Sequence, residues 1–169
     1  YKPMDMTKIK TELFIPSMLD ATKKNTTLKG QVYGLPHIWG TDGLVVNTKL
    51  AKMGDYPDLC KPEYKGKTSM RLKRPTLLAF AFASGKDPFA LYGNPKAYAA
   101  LMDEVGKTLA ACKGNIKFFW DNKDQLLNGA RTGEIVGAMM WDTGGWKLNG
   151  ENPDIQYLAP KSGALGWID

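Results

Sequence analysis

Two tryptophan–aspartate pairs are the residues of this sequence best suited to bind a ligand. One apolar run ends in Trp141-Asp142, and a second ends in Trp167 with Asp169 two positions later. Ligands of open α/β sheets bind at the carboxyl ends of strands, so two such strands would bring indoles and carboxylates to one edge. That combination favours a cationic or partly cationic organic ligand. The alternative is that the tryptophans are core and the aspartates cap turns, but the repetition favours a site.

Strands that alternate with helices surround these pairs. Strands are predicted at residues 67–72, 115–120, 134–141 and 155–159, and helices at residues 76–84, 95–112 and 122–131. The helix at 95–112 has Asn94 as its cap and one apolar face. Residues 48–53 are predicted as a short helix, and residues 1–30 form no complete element. The alternation predicts an α/β domain with a largely parallel sheet.

Composition and charge exclude several classes of protein. The 169 residues suffice for one domain with a real core, and no apolar run is long enough to cross a bilayer. The net charge of +6 comes from dispersed lysines, and the one basic cluster, Arg71 to Arg74, is short. A basic nucleic-acid-binding domain is therefore the less favoured alternative. Because the chain lacks an initiator methionine and ends abruptly, we expect it to be a piece of a longer protein.

Motifs of catalysis and cofactor binding are missing from the sequence. It contains no phosphate-binding loop, dinucleotide fingerprint or nucleophile elbow. Two cysteines, Cys60 and Cys112, and the single His37 do not make a standard zinc site. The cysteines are able to form a disulfide only if the fold brings them together, which the sequence leaves open. We expect no enzyme activity, no cofactor and no metal.

Four segments, taken in order, resemble the spermidine/putrescine-binding proteins, which are type II periplasmic binding proteins of ABC importers. The segments are residues 33–47, 58–66, 128–141 and 159–169. The resemblance implies two α/β lobes that clamp a ligand, each with a mostly parallel sheet and helices on both faces. Residues 1–35 would be the tail of the first lobe and the crossing segment, and residues 36–169 the second lobe.

The resemblance also implies where and with what the protein works. The receptor would be periplasmic, or extracytoplasmic and membrane-anchored in a Gram-positive source, with a signal peptide in its full-length precursor. Its partners would be a small solute and the permease subunits of the transporter, and the full-length receptor would be a monomer that binds no nucleic acid.

In that family the tryptophan matching Trp141 flanks the ligand, Trp167 would cover it, and Asp169 would hold an ammonium group. One segment departs from the family pattern. Polyamine binders carry acids at the start of the helix after the Lys-Gly stretch, whereas residues 72–77 contain none. Arg74 beside a helix N-terminus favours an anion, although a solvent-facing basic turn is the alternative. Asp142 is a candidate replacement carboxylate. We therefore expect a polyamine-like or amine-bearing solute, with an anionic or zwitterionic solute as the alternative.

Overall fold

A computed structural model describes all of residues 1–169, which form two compact units. The smaller unit comprises Tyr1–Gly40 and Gly166–Asp169, and the larger comprises Thr41–Leu165. In the smaller unit, helix α1 (Pro16–Thr26) precedes a hairpin of β1 (Thr27–Leu28) and β2 (Gln31–Val32). Residues 1–30 are therefore more ordered than the sequence predicted. Pro16 begins α1 at a position where its missing N–H costs nothing.

A mixed sheet forms the centre of the larger unit. Its strands are β3 (Trp39–Asn47), β4 (Thr68–Arg71), β5 (Ile116–Trp120), β6 (Gly137–Trp141) and β7 (Ile155–Leu158). They lie in the order β5-β4-β6-β3-β7, and β8 (Leu165–Ile168) pairs with β3. Strand β4 is parallel to β5 and β6, whereas β3 is antiparallel to β6 and β7. Four of the five strands thus run in one direction, and β3 runs against them.

Helices cover both faces of this sheet, as the α/β prediction requires. They are α2 (Arg74–Ala83), α3 (Pro95–Cys112), α4 (Lys123–Arg131) and α5 (Asp142–Glu151). Leu44 of β3 packs into a core with residues of α2 and α3, and its neighbour Val45 packs into a second core with α4 and α5. Successive strand residues point to opposite faces, so β3 supplies both cores from one apolar run. The expected fold class is confirmed.

One local prediction is wrong. Residues 48–53 form a turn followed by an irregular segment instead of a helix. The amides of Leu50 and Ala51 close this turn on the carbonyl of Asn47, and no further helical turn follows.

A disulfide joins two parts of the larger unit that are 52 residues apart in sequence. Cys60 and Cys112 are bonded, with their Cα atoms 4.9 Å apart. Cys60 ends a short 3-10 helix, Tyr56–Cys60, and Cys112 is the last residue of α3. The bond therefore ties the segment after β3 to the helix that covers β4 and β5. None of the helices has the length and apolar character needed to span a membrane.

Candidate functional site

A guanidinium covers one face of Trp141, the last residue of β6. The guanidinium carbon of Arg71, at the end of β4, lies 4.7 Å from the centroid of the Trp141 ring and 5.2 Å from that of Trp120. The two indoles meet edge to face, with their centroids 5.1 Å apart. A cation is attracted to an indole face, so the chain places its own positive charge on the surface that the resemblance assigns to the ligand.

The hydrogen-bond donors of Arg71 are only partly used. One terminal nitrogen lies 3.5 Å from a carboxylate oxygen of Asp121, which makes a shorter contact of 2.6 Å with Lys73. Hydrogen bonding to the Lys73 ammonium holds the pKa of Asp121 below its usual value. Nε of Arg71 is buried and donates to no group of the chain. Because buried donors are nearly always paired in folded proteins, Arg71 has capacity for a further acceptor.

The carboxylate of Asp142 is already fully engaged by backbone and side-chain donors. One oxygen accepts hydrogen bonds from the amide of Thr41 at 2.8 Å and from its hydroxyl at 3.0 Å. The other oxygen accepts from the amide of Thr143 at 2.6 Å. Asp142 is only 6% exposed and lies in the first turn of α5, where a negative charge is stabilised by the helix dipole. These contacts hold the end of β3 against the start of α5, beside Trp141.

Asp42 is a second buried carboxylate of this region. It lies opposite Trp141 in the ladder between β3 and β6 and is 2% exposed. Its backbone carbonyl accepts a hydrogen bond from the hydroxyl of Tyr56 at 2.7 Å, whereas no donor of the chain holds its carboxylate. Burial raises the pKa of Asp42 to about 6, the charge of Arg71 opposes the rise, and that of Asp142 adds to it. The ladder thus ends in a desolvated acid close to an underused guanidinium.

Replacing Asp42 with asparagine is expected to raise the free energy of unfolding at neutral pH. The pKa rises from 3.8 to about 6 on folding, so between these values the folded state binds more protons than the unfolded state. The unfolding free energy of the wild type therefore falls as pH increases through this window. The unfolding free energy falls by about 3 kcal/mol in total, because one pKa unit corresponds to about 1.36 kcal/mol. Urea titrations of both proteins from pH 4 to 8 measure this difference.

The stability advantage of Asp42→Asn should shrink towards zero near pH 4, where the wild-type carboxyl is also neutral. Asp87→Asn is the matched control, because Asp87 is exposed and caps a short surface turn. A stability difference that does not change with pH would show that Asp42 titrates normally.

The second tryptophan–aspartate pair lies in the smaller unit. The indole of Trp167 packs directly on Gly40, where an added Cβ would lie 2.5 Å from its Cζ2 atom. Its Nε1 is buried and has no acceptor. The Asp169 amide donates to the carbonyl of Ile38 at 2.8 Å, and the Asp169 carbonyl accepts from the amide of His37 at 2.7 Å. The backbone at Asp169 is thus fixed, and its side chain is exposed.

Arg74 is engaged by a different aromatic residue. Its guanidinium lies 5.5 Å from the ring centroid of Tyr92, whose hydroxyl it also contacts. The structure therefore brings Arg71, and not Arg74, to Trp141. Within the larger unit, Trp141 and Asp142 are adjacent to Arg71 and Asp42, two groups that sequence reasoning did not select. No cluster of three or more histidine, cysteine, aspartate or glutamate residues has the spacing of a metal site.

A comparison with known protein families shows to which family the chain belongs. The sequence model of the bacterial extracellular solute-binding proteins matches residues 2–169. The chain belongs to this family.

Individual solute-binding proteins agree with this assignment. Spermidine/putrescine-binding periplasmic protein 1 of Haemophilus influenzae is 26% identical over 145 residues, which cover 83% of this chain and 38% of that protein. The spermidine/putrescine ABC transporter substrate-binding protein PotD of Streptococcus pneumoniae superposes with a TM-score of 0.77 at 21% identity, covering 99% of this chain and 50% of that one. The TpPotD lipoprotein of Treponema pallidum gives 0.75 at 16% identity, covering 98% and 53%.

The chain spans about half the length of these relatives or less. The family match and the 26% identical relative confirm the expected resemblance to spermidine/putrescine-binding proteins, and the superpositions confirm the α/β fold. The site residues are not tested by it, so Trp141, Asp142, Trp167, Asp169 and Arg74 stay predictions as ligand groups.

Two residues of the candidate site were missed for identifiable reasons. Asp42 is a charged residue directly before the apolar run of β3, although the strand itself already begins at Trp39. Arg71 was noticed only as part of a basic cluster. A better signal was available, since Arg71 ends a buried strand and therefore belongs to the same edge as Trp141.

Proposed function

We propose that this chain is the second lobe of an extracytoplasmic receptor for an ABC importer, and that its solute carries a carboxylate or another anionic group. The observation that carries the proposal is the guanidinium of Arg71 on the face of Trp141, 4.7 Å from the ring centroid. A polyamine would have to share that face with a fixed positive charge. An anionic group would instead meet a cation with donors to spare. The anionic or zwitterionic alternative is thus favoured over a polyamine.

The stacking itself supports recognition of a planar anion. A guanidinium presents donors at its edge, in a geometry that matches a carboxylate. The guanidinium carbon of Arg71 lies over the rings of both Trp120 and Trp141, which restrict where the group can point. An exposed lysine would offer charge without this orientation. Lys73 is in addition paired with Asp121 at 2.6 Å.

A zwitterionic solute fits more of the site than a simple anion does. Asp42 supplies a buried carboxylate without a donor, next to the Arg71 charge. An ammonium group on the solute would satisfy that acceptor while its carboxylate binds Arg71. In the full receptor, Trp167 would cover the solute and Asp169 would contact its cationic end. These roles extend the sequence prediction to a ligand with both charges.

The wider assignment rests on the family. As a lobe of a solute receptor, the chain would work outside the cytoplasm, deliver its solute to permease subunits and catalyse no reaction. The family match over residues 2–169 and the superposition on transport receptors support these statements.

A series of five-carbon compounds with matched length tests the charge preference. Glutarate carries two carboxylates, 5-aminopentanoate one carboxylate and one ammonium, and 1,5-diaminopentane two ammonium groups. Each compound is titrated by calorimetry, as are spermidine and putrescine. Glutarate and 5-aminopentanoate should both bind more tightly than 1,5-diaminopentane, spermidine and putrescine. The affinities are measured on the 169-residue chain and on a receptor that contains both lobes.

The order of affinities within this series decides between the two candidates. Tighter binding of 1,5-diaminopentane or spermidine than of 5-aminopentanoate would overturn the anionic assignment and restore the amine-bearing solute. Sodium chloride at equal ionic strength in every titration keeps non-specific charge effects the same, because screening depends on ionic strength.

A further inference from the structure

A cavity beside Arg71 opens between α2, α3 and the strands β4 and β5. Its volume is about 520 Å³. This lies within the range of roughly 300–1,000 Å³ that is typical of pockets for small organic ligands. Its walls are apolar and are formed by Met70, Leu77, Leu109 and Phe119. Leu109 and Phe119 are only partly buried, so part of their apolar surface is still accessible to water in the cavity.

The mouth of this cavity carries one sign of charge. Four basic residues line it, namely Arg71, Lys73, Arg74 and Lys113, and no acidic residue does. Lys73 is paired with Asp121, and Arg74 is engaged by Tyr92. Lys113 caps the end of α3, is exposed and forms no ion pair. An apolar interior below a cationic rim is complementary to a molecule with an apolar body and a terminal anion.

We propose that this cavity binds an amphiphilic carboxylate, with its hydrocarbon part against the four apolar side chains and its carboxylate at Lys113 and the neighbouring bases. This site adjoins the solute site proposed above and shares Arg71 with it, but its interior lies between α2 and α3 and includes neither Trp141 nor Asp42. Because the head group is assigned to Lys113, each site can bind its ligand without the other. A buried tail supplies the driving force, and the rim selects the sign of the head group.

Straight-chain compounds of increasing length serve as probes on the 169-residue chain. Butanoate, hexanoate and octanoate share one head group and differ only in methylene groups. Each buried methylene contributes about fourfold in affinity, so octanoate should bind roughly 16-fold more tightly than hexanoate. Octylamine and 1-octanol have the same tail with a cationic and a neutral head, and both should bind more weakly than octanoate. Titration calorimetry measures all five affinities.

Filling the cavity should abolish this binding without harming the fold. Gly106 lies in α3 at the cavity wall, and a Cβ added there meets nothing within 4 Å. Gly106→Phe therefore places a ring in open space, and phenylalanine is a better helix former than glycine. Gly150→Phe is the matched control, because Gly150 is also helical and unobstructed but lies in α5, away from the cavity. Only Gly106→Phe should lose octanoate binding.

The charge part of the proposal has its own pair of variants. Lys113→Glu should weaken octanoate binding by roughly fivefold, as expected for an exposed ion pair. Lys107→Glu makes the same charge change on the same helix outside the cavity and should leave the affinity unchanged. Both positions are exposed, so neither variant endangers folding.

Each outcome bears on the proposal. No increase of affinity with chain length, or equal binding to Gly106→Phe and Gly150→Phe, would overturn the cavity as the site. Equal affinities for octanoate, octylamine and 1-octanol would overturn the carboxylate assignment. Octanoate binding should also persist when glutarate is present in excess, and competition between the two would show that they share one site. Failure of the five-carbon series leaves these measurements unaffected, so the two proposals fail separately.

Discussion

Replacing Arg71 with glutamine is expected to weaken binding of glutarate and 5-aminopentanoate by roughly tenfold to a hundredfold. A hydrogen bond to a charged group contributes about 1.5–3 kcal/mol, and 1.4 kcal/mol corresponds to tenfold in affinity. The same change should strengthen binding of 1,5-diaminopentane. It frees the face of Trp141 and removes the positive charge that opposes the pKa shift of Asp42. Calorimetric titration of both proteins with the three compounds gives the ratio of affinities.

Arg131→Gln is the matched control for this prediction. Arg131 is exposed, forms an ion pair with Glu151 at 2.6 Å, and lies at the end of α4 away from the indoles. It should change no affinity in the series. If Arg71→Gln and Arg131→Gln behave alike, Arg71 has a structural role against Trp120 and does not bind the solute.

Replacing Cys60 and Cys112 with alanine is expected to lower the free energy of unfolding by about 4 kcal/mol. A disulfide restricts the unfolded chain, and the chain-entropy model gives about this value for a closed loop of the present length. The two cysteines are 52 residues apart, and the loop between them contains β4, α2 and most of α3. Urea unfolding of the oxidised wild type and the double variant measures the difference. The midpoint should fall while the dependence on urea stays similar.

Reduction provides the control for the disulfide prediction. Addition of a reductant should lower the unfolding midpoint of the wild type towards that of the double variant, and should not affect the double variant. Cys112 is buried at 3% exposure, so alanine there removes some packing as well. A wild-type midpoint insensitive to reductant would show that the bond does not stabilise the fold.

Local signals in the sequence were sufficient to predict the bounds of elements that begin or end at characteristic boundary residues. Helix α3 begins at Pro95 and ends at Cys112 as predicted, because the Asn94 side chain accepts a hydrogen bond from the amide of Ala97. Strand β6 ends at Trp141 as predicted, although α5 follows it at once. The helix predicted at 48–53 did not form, because the amide and hydroxyl of Thr48 donate to the carbonyl of Asp154 and the Asn47 side chain accepts from the amide of Lys49.

The chemistry of the site was less accessible than its location. Trp141 was selected from its place at a strand end, and the structure puts it at the edge where β4 ends in Arg71. Asp42, near the start of the antiparallel strand β3, lies opposite Trp141 at the same edge. The strand end at Arg71 could be read from the sequence, but its contact with Trp141 could not, since the two residues are far apart in the chain and meet only through the β4–β6 pairing. The same holds for Asp142, whose acceptors are filled by Thr41 and Thr143.

The sequence by itself determined the fold class, the family resemblance and the strand ends that form the candidate site. These depend on apolar periodicity, capping residues and short motifs, which act over a few residues. The tertiary structure decided that a positive charge, the guanidinium of Arg71, lies on Trp141. It also decided the burial of Asp42, the disulfide and the cavity between α2 and α3. Each of these depends on which distant residues become neighbours, and strand order and helix packing set that only when the chain folds.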